Sequence, residues 1–261
     1  MKRTSYVLVT GASRGLGKSF ARTLAARRQN LVLVARSKDK LDALSSELST
    51  AHAILTETLE CDLSSPMAGR HLAEQLSERA LSIEVLINNA GFGLRGEFLE
   101  LPLARQLERV NLQNSAVVEL TFSLLPAMIE RRQGGIINVS SMAGFQPIPY
   151  AALYSATKSF LTVFSMALRE EVRHHGVTVV TVCPGRLRAD PEAEPSQAKR
   201  QKVPGGEQGY EEVVLEALKK FDGGGGLVIP GRMNRLTALG QRLLPPNAVP
   251  KIVAKMSRKM I

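Results

Sequence analysis

The feature that most constrains the fold is a change of periodicity at Thr10. Tyr6-Val7-Leu8-Val9 is an unbroken apolar run, and Gly11-Ala12-Ser13-Arg14-Gly15-Leu16-Gly17 follows at once, opening onto an amphipathic helical stretch. A run without polar alternation fits a strand covered on both faces. The same alternation of short β-rich runs with longer helical patterns continues along the chain. Strands are expected at residues 6–10, 31–35, 54–60, 85–88, 135–140, 178–182 and 227–229. Helices are expected at 15–28, 38–48, 66–79, 103–129, 153–174 and 210–220. Parallel strands need crossover helices, so this order predicts an α/β fold. The expected architecture is a Rossmann-type, doubly wound parallel sheet of about seven strands with helices on both faces.

Glycines between a buried strand and a helix N-terminus let the backbone approach a pyrophosphate. The free N–H groups and the dipole of the helix end then favour the anion. The spacing here is G-x-x-x-G-x-G, not the usual G-x-G-x-x-G, and a purely structural turn is the alternative. Its position predicts a dinucleotide held by Gly11, Ser13, Arg14, Gly15, Leu16 and Gly17. An NAD site usually sets a carboxylate on the ribose about 20 residues further on. The second strand instead ends Val34-Ala35-Arg36, and the next carboxylate is Asp39. A guanidinium fork matches a 2′-phosphate, so Arg14 and Arg36 point to NADP(H). Asp62, at the end of the third strand with Leu63, can accept from an adenine amino group. Asn88-Asn89-Ala90-Gly91, ending the fourth, permits close approach of adenosine and ribose. Each of these two short motifs alone also fits a helix cap or a turn.

Tyr154 and Lys158 stand four apart at the start of a predicted helix and so share a face. An ammonium beside a phenol stabilises phenolate and makes tyrosine a usable proton donor or acceptor near neutrality. Ser141 ends the fifth strand, where the sheet's carboxyl edge opens onto the cofactor crevice. Its hydroxyl can hold a substrate oxygen beside the tyrosine, with Ser140 as competitor for that role.

The ordered set Thr10–Gly17, Asn88-Asn-Ala-Gly91, Val110-Asn111-Leu112, Asn138-Val-Ser-Ser141, Tyr154-x-x-x-Lys158 and Cys183-Pro184-Gly185 resembles the short-chain dehydrogenase/reductase family. The resemblance covers about residues 5–185, and the whole is similar to bacterial members with a basic C-terminal extension. It implies that Tyr154 is the acid/base and that Lys158 binds the nicotinamide ribose and lowers the tyrosine pKa. It also implies that Ser141 orients the carbonyl, that Asn111 holds a proton-relaying water, and that Pro184 and Gly185 contact the cofactor. The implied reaction is hydride transfer to a ketone or 3-oxoacyl carbonyl. The rival reading is a non-catalytic NADP(H)-binding sensor or scaffold, which the presence of both Tyr154 and Lys158 disfavours. One departure stands out: Arg188 occupies the place of the family's usual lid threonine, which leaves open how the lid closes on the nicotinamide.

Phe92, Leu94, Met142, Phe145, Ile148 and Leu187 follow strand ends and are mostly apolar, so a lipid-like or acyl carbonyl is expected to be the substrate. Residues 1–230 are read as a single dinucleotide-binding and catalytic domain with a lid over 184–209. Residues 231–261 are read as a basic amphipathic extension, with seven basic side chains and no acidic one. That extension accounts for much of the formal charge of +10. It suits subunit packing, an acidic carrier protein, or peripheral contact with an anionic bilayer. Homodimers or homotetramers are expected from the resemblance, in a cytoplasmic setting with membrane-peripheral placement as the alternative.

With 44% hydrophobic and 22% charged residues, a disordered chain is excluded. Two cysteines, Cys61 and Cys183, rule out a disulfide scaffold and suit a reducing compartment. Residues 1–9 only faintly imitate a signal peptide. No run of about 18 uncharged apolar residues occurs, so no spanning helix is expected. Nucleic-acid binding has the charge but no recognisable motif. No metal site is expected: His174 and His175 are read as pointing apart on a helix, with His52 and His71 alone. A hydrolytic G-x-S-x-G elbow is absent.

Overall fold

The strands are β1 (Ser5–Thr10), β2 (Leu31–Ala35), β3 (Thr56–Glu60), β4 (Ser82–Asn88), β5 (Gly134–Val139), β6 (Val177–Val182) and β7 (Gly226–Val228). In the computed structural model, which describes residues 4–189, 206–242 and 248–257, they form one sheet. Its order is β3-β2-β1-β4-β5-β6-β7, with every neighbouring pair parallel. The helices are α1 (Gly15–Ala26), α2 (Lys38–His52), α3 (Ala68–Glu78), α4 (Leu103–Val110), α5 (Ala116–Arg131), α6 (Ala152–Val172), α7 (Tyr210–Asp222), α8 (Arg232–Arg242) and α9 (Ala248–Ser257).

The absence of polar alternation in the central strands has its cause in two core layers. Val7, Val9, Leu31 and Leu33 face α1, α2 and α7, through Leu16, Phe20, Leu41, Leu44, Val213 and Ala217. Their neighbours Tyr6, Leu8, Val32 and Val34 face the opposite layer, which includes Leu72 and Leu76 of α3, Leu120 of α5 and Leu168 of α6. A strand period of two sends alternate side chains to opposite faces, and here both faces are apolar. Strand order reverses between β1 and β4, and a crevice opens at the carboxyl ends of such a pair.

Three expectations need correction. The helix expected over 103–129 is interrupted by a π-helical turn, Asn111–Ser115, between α4 and α5. Leu112 is the one apolar residue of this turn, and apolar periodicity on either side of it reads as a single helix. The helical run Leu103–Arg131 is long and apolar enough to cross a membrane by length and composition. It is nonetheless a covering helix of the sheet, with Ala116, Val117, Leu120, Thr121 and Met128 buried. Lastly, His174 and His175 do not point apart. The helix tightens into a 3₁₀ turn, Arg173–His175, which brings their rings to 4.0 Å between centroids.

The extension begins as part of the body. Asn234 and Ala238 of α8 and Val249 of α9 are buried, and α8 packs against the 3₁₀ turn Met142–Phe145 that follows β5. The lid expected over 184–209 is described only at its two ends. There Leu187 and Gln208 form a parallel bridge: the Arg188 amide donates to the Gln208 carbonyl at 2.9 Å and the Gln208 amide to the Arg186 carbonyl at 2.8 Å. Its central residues 190–205, together with Leu243, Leu244, Pro245, Pro246, Arg258, Lys259 and Met260 of the extension, lie outside the described residues.

Candidate active site

The glycine loop is built by lacing β1 to β4. Thr10 Oγ1 donates to the Ile87 carbonyl at 3.1 Å and accepts from the Asn89 and Ala90 amides at 2.9 and 3.1 Å. Asn89 Nδ2 returns a hydrogen bond to the Thr10 carbonyl at 2.9 Å. The Asn89 amide is thus committed to shaping the loop. Close approach explains the glycines: a Cβ at Gly11, which has φ +66°, would lie 2.9 Å from Ala90 Cα. At Gly17 it would lie 2.2 Å from the Gly11 carbonyl oxygen. Helix α1 then starts at Gly15 with no side-chain cap from Arg14. Its first-turn N–H groups are left for a ligand, and a pyrophosphate fits that cradle.

Ser13 and Arg14 flank the loop half-buried, and Leu16 packs into the core, so Leu16 offers only backbone to a ligand. Arg36 is exposed just past β2, where its charge acts on Asp62. Asp62 Oδ1 accepts from the Ser64 amide at 3.0 Å and its hydroxyl at 2.7 Å. Partial burial pushes the Asp62 carboxyl up, but those bonds and the charges of Arg36 and Arg105 outweigh it and hold the pKa below the usual range. Leu63 is buried, and Ala90 is partly covered against the same layer. Gly91 is kept small by Gln113, whose Nε2 would lie 2.7 Å from a Cβ there.

Tyr154 and Lys158 lie in the first two turns of α6. Lys158 is 5% exposed and its Nζ donates to the Val139 carbonyl at 2.8 Å. Burial pushes its pKa down to about 8, with Cys183 opposing and Arg109 reinforcing the drop. The two serines differ in their bonds. Ser140 Oγ is buried, donates to the Lys158 carbonyl at 2.8 Å and meets Thr162 Oγ1 at 2.7 Å, so it anchors β5 to α6. Ser141 Oγ accepts from the Ala143 amide at 3.1 Å, capping the 3₁₀ turn, and keeps its own proton to donate. Asn111 opens the π turn and its Nδ2 donates to the Ser64 carbonyl at 3.1 Å. The extra residue of the π turn is what separates Asn111 from the regular face of the helix, a pattern frequent at functional sites.

Behind the site, Pro184 accepts from the Met142 amide at 3.0 Å and the Gly185 amide donates to Gln208 Oε1 at 2.9 Å. A Cβ at Gly185 would lie 2.4 Å from Asn234 of α8. Met142 and Leu187 are partly buried beside this junction. Phe145 lines an open, largely apolar cleft of about 560 Å³ with Pro147, Ile148, Ala152, Ala156 and Ser159. That cleft lies on the face of α6 away from Tyr154 and Lys158, so Phe145 and Ile148 are not joined to the tyrosine by it. Phe92 is more than an apolar wall: the guanidinium carbons of Arg105 and Arg109 lie 4.7 and 5.3 Å from its ring centroid.

Two features escape the sequence. Arg109 is buried beside Tyr154, with its guanidinium carbon 5.4 Å from that ring centroid. A buried amide chain also ties the layers, Asn88 Nδ2 donating to Asn138 Oδ1 and Asn138 Nδ2 to Ser165 Oγ, each at 2.8 Å. The four-residue spacing of Arg105 and Arg109, immediately before Val110-Asn111, is the one sequence signal that could have drawn attention to Arg109.

Residues 5–200 match the family described as short chain dehydrogenase. A very-long-chain 3-oxoacyl-CoA reductase of Bos taurus is 39% identical over 183 residues, covering 69% of this chain and 58% of that protein. The chain therefore spans under two thirds of the length of that relative. A short-chain dehydrogenase from Sphingobium yanoikuyae, solved in complex with NADPH, is 31% identical with a TM-score of 0.77, covering 92% of this chain and 94% of the other. A bulky-bulky ketone specific alcohol dehydrogenase from Comamonas testosteroni is 30% identical with a TM-score of 0.76, covering 93% and 94%. With the glycine cradle, the Tyr154/Lys158 pair and the seven-stranded parallel sheet in place, the chain belongs to the short-chain dehydrogenase family of oxidoreductases.

Proposed function

We propose that the protein is an NADPH-dependent reductase of an apolar ketone or 3-oxoacyl thioester. The observation that carries this reading is the buried Lys158 one turn beyond Tyr154 on α6, its Nζ on the Val139 carbonyl two residues before the proton-bearing Ser141 hydroxyl. The 3-oxoacyl relative, the bulky-ketone neighbour and the NADPH-bound neighbour support substrate class and cofactor. Bound in the cradle, the reduced nicotinamide supplies the hydride. Gly11, Ser13, Gly15, Leu16 and Gly17 would hold its pyrophosphate, and Arg14 and Arg36 would hold its 2′-phosphate. Ser141 donates a hydrogen bond to the substrate oxygen. Tyr154 gives its phenolic proton to that oxygen as it becomes an alkoxide, leaving a phenolate that the Lys158 ammonium stabilises. Asn111 carries the water through which the proton is replaced.

The test is a carbonyl panel of 3-oxoacyl thioesters, bulky apolar ketones and sugars, followed by NADPH oxidation with NADH in parallel. The expected result is turnover of the apolar or acyl carbonyls with NADPH, falling about 10²-fold or more in Tyr154→Phe. Full activity in that variant, a strong preference for NADH, or faster turnover of sugars overturns the reading.

The same proposal extends to assembly. Phe122, Phe160, Val163 and Met166 are exposed apolar side chains on α5 and α6, a face suited to a second copy of the chain. Met233, Leu236 and Leu239 are exposed along α8, a helix that also bears Arg232 and Arg235 and suits peripheral contact with an anionic bilayer. Light scattering that gives a monomer overturns the first. Equal liposome flotation of the full chain and a Leu236→Glu/Leu239→Glu variant overturns the second.

A further inference from the structure

Arg109 has an environment that packing alone does not account for. Among the described residues it is the largest side chain that is essentially fully buried, at 1% exposure. Nη1 donates to the Leu94 carbonyl at 3.3 Å and Nη2 to the Phe92 carbonyl at 3.2 Å. Nε is buried without a hydrogen-bond partner. Among the described residues no carboxylate pairs with it, and the groups that interact with its charge include Tyr154, Arg105 and Lys158. Burial pushes its pKa down to about 10, with Tyr154 opposing and Arg105 adding to the drop.

A cation sealed in this way is costly unless an anion forms against it. The guanidinium lies over the Tyr154 ring face, 5.4 Å from the centroid. A neutral aromatic face attracts a cation weakly. Ionisation spreads a full negative charge into the same ring, so the attraction is greatest at the moment the phenol has given up its proton. Such differential stabilisation accelerates a reaction, whereas equal stabilisation of both states does not.

We propose that Arg109 is a positioning residue of the reaction, clamping the Phe92–Leu94 segment to the Tyr154 ring and stabilising the phenolate through its face. This rests on the acid/base reading of Tyr154. The arrangement divides the work: Lys158, held by Val139, acts from the same helix, and Arg109 acts across the ring from α4. The other ionisable groups near this pair among the described residues include Arg105 on α4, Tyr150, which lines the same small pocket as Arg109, and Cys183 after β6, which acts on Lys158. The π turn and the 3₁₀ turn beside them contribute only uncharged side chains.

The test compares wild type, Arg109→Gln, Arg109→Lys and Tyr154→Phe, using NADPH and the best bulky apolar ketone from the panel above. Folding is checked by circular dichroism and NADPH binding by fluorescence. Arg109→Gln is expected to bind NADPH as wild type does, to lose about 10- to 100-fold in kcat with a smaller change in KM, and to move the alkaline limb of kcat to higher pH. Removal of a cation favours the protonated form of the acid beside it, so the limb moves upward. Arg109→Lys keeps the charge, so its limb is expected near the wild-type position even where loss of the fork lowers kcat; it also serves if the glutamine variant fails to fold. An unmoved limb in a folded Arg109→Gln, or a limb displaced in Arg109→Lys as far as in Arg109→Gln, overturns the inference while leaving the reaction intact. Turnover retained by Tyr154→Phe overturns the acid/base reading and this inference with it.

Discussion

Replacing Lys158 by methionine separates what the site needs from what the fold needs. The Lys158 ammonium is buried, and burial pushes its pKa from 10.5 to about 8. That drop corresponds to about 3 kcal/mol of preference for the neutral amine in the native state. Between pH 8 and 10.5 the unfolded chain holds a proton that the native chain does not, so this group makes stability rise with pH across that window. Below pH 8 its full penalty burdens the fold. Methionine has similar length and no charge, so it removes the penalty. It also strips the Val139 carbonyl of the donor 2.8 Å away, which costs about 1–2 kcal/mol. The cofactor-free variant is therefore expected to be more stable than wild type by about 1–2 kcal/mol at pH 7. Near pH 10.5 the order inverts, because the neutral lysine still donates to Val139. Urea denaturation of both proteins at the two pH values measures this, and reductase turnover is expected to be lost throughout. A variant less stable than wild type by the same amount at both pH values refutes the reasoning.

At Gly17, alanine would place a Cβ 2.2 Å from the Gly11 carbonyl oxygen and 2.6 Å from Asn89 Nδ2, and the first contact is with backbone that cannot turn aside. Gly17→Ala is expected to lower stability by about 1–3 kcal/mol and to weaken NADPH binding more than 10-fold by fluorescence titration; unchanged affinity would show that the cradle is not where the cofactor sits. Asn138 is fully buried between Asn88 and Ser165. Asn138→Ala strands two polar partners at once, so a loss of about 2–4 kcal/mol in urea denaturation is expected, and a loss under 1 kcal/mol would mean that water or rearrangement replaces the network.

The strands were legible because both faces of the central ones are buried, leaving an unbroken apolar run that no surface segment needs. Six of the seven lie within two residues of the expected bounds. The exception, β4, begins at Ser82, three residues early, where Glu84 interrupts the apolar run and a register shift on β1 lies opposite. The π turn was hidden because an inserted residue changes hydrogen bonding without changing composition. In the site, residue types announced the glycine loop and Tyr154-x-x-x-Lys158, but the division of labour between neighbours was set by register. Strand alternation sends Ser140 toward α6 and leaves Ser141 at the rim. Asn89 stands where a ligand contact was expected, and its side chain instead holds the loop that would make it. Arg109 was invisible for a simpler reason: arginine on a helix ordinarily reaches solvent, and only the packing of Phe92 and Tyr154 over it reveals otherwise.

The two burials around Tyr154 follow one physical logic. Lys158 and Arg109 are both cations sealed from water, both anchored by backbone carbonyls, and neither is paired with a carboxylate among the described residues. Carboxylate partners would stabilise the resting protein, and they would also neutralise the field before the reaction needs it. Carbonyl dipoles take up the Lys158 ammonium and both Arg109 Nη groups while leaving the net charge uncancelled. On the proposed acid/base role of Tyr154, the phenolate is the anion that would complete the site, and its formation would relieve a penalty already present in the resting fold. That relation makes the resting state less stable than its packing permits. It also predicts coupling in a double-mutant cycle: once Tyr154 cannot ionise, removing Arg109 should change turnover far less than it does in wild type. Additive losses would mean that Arg109 acts on something other than the tyrosine.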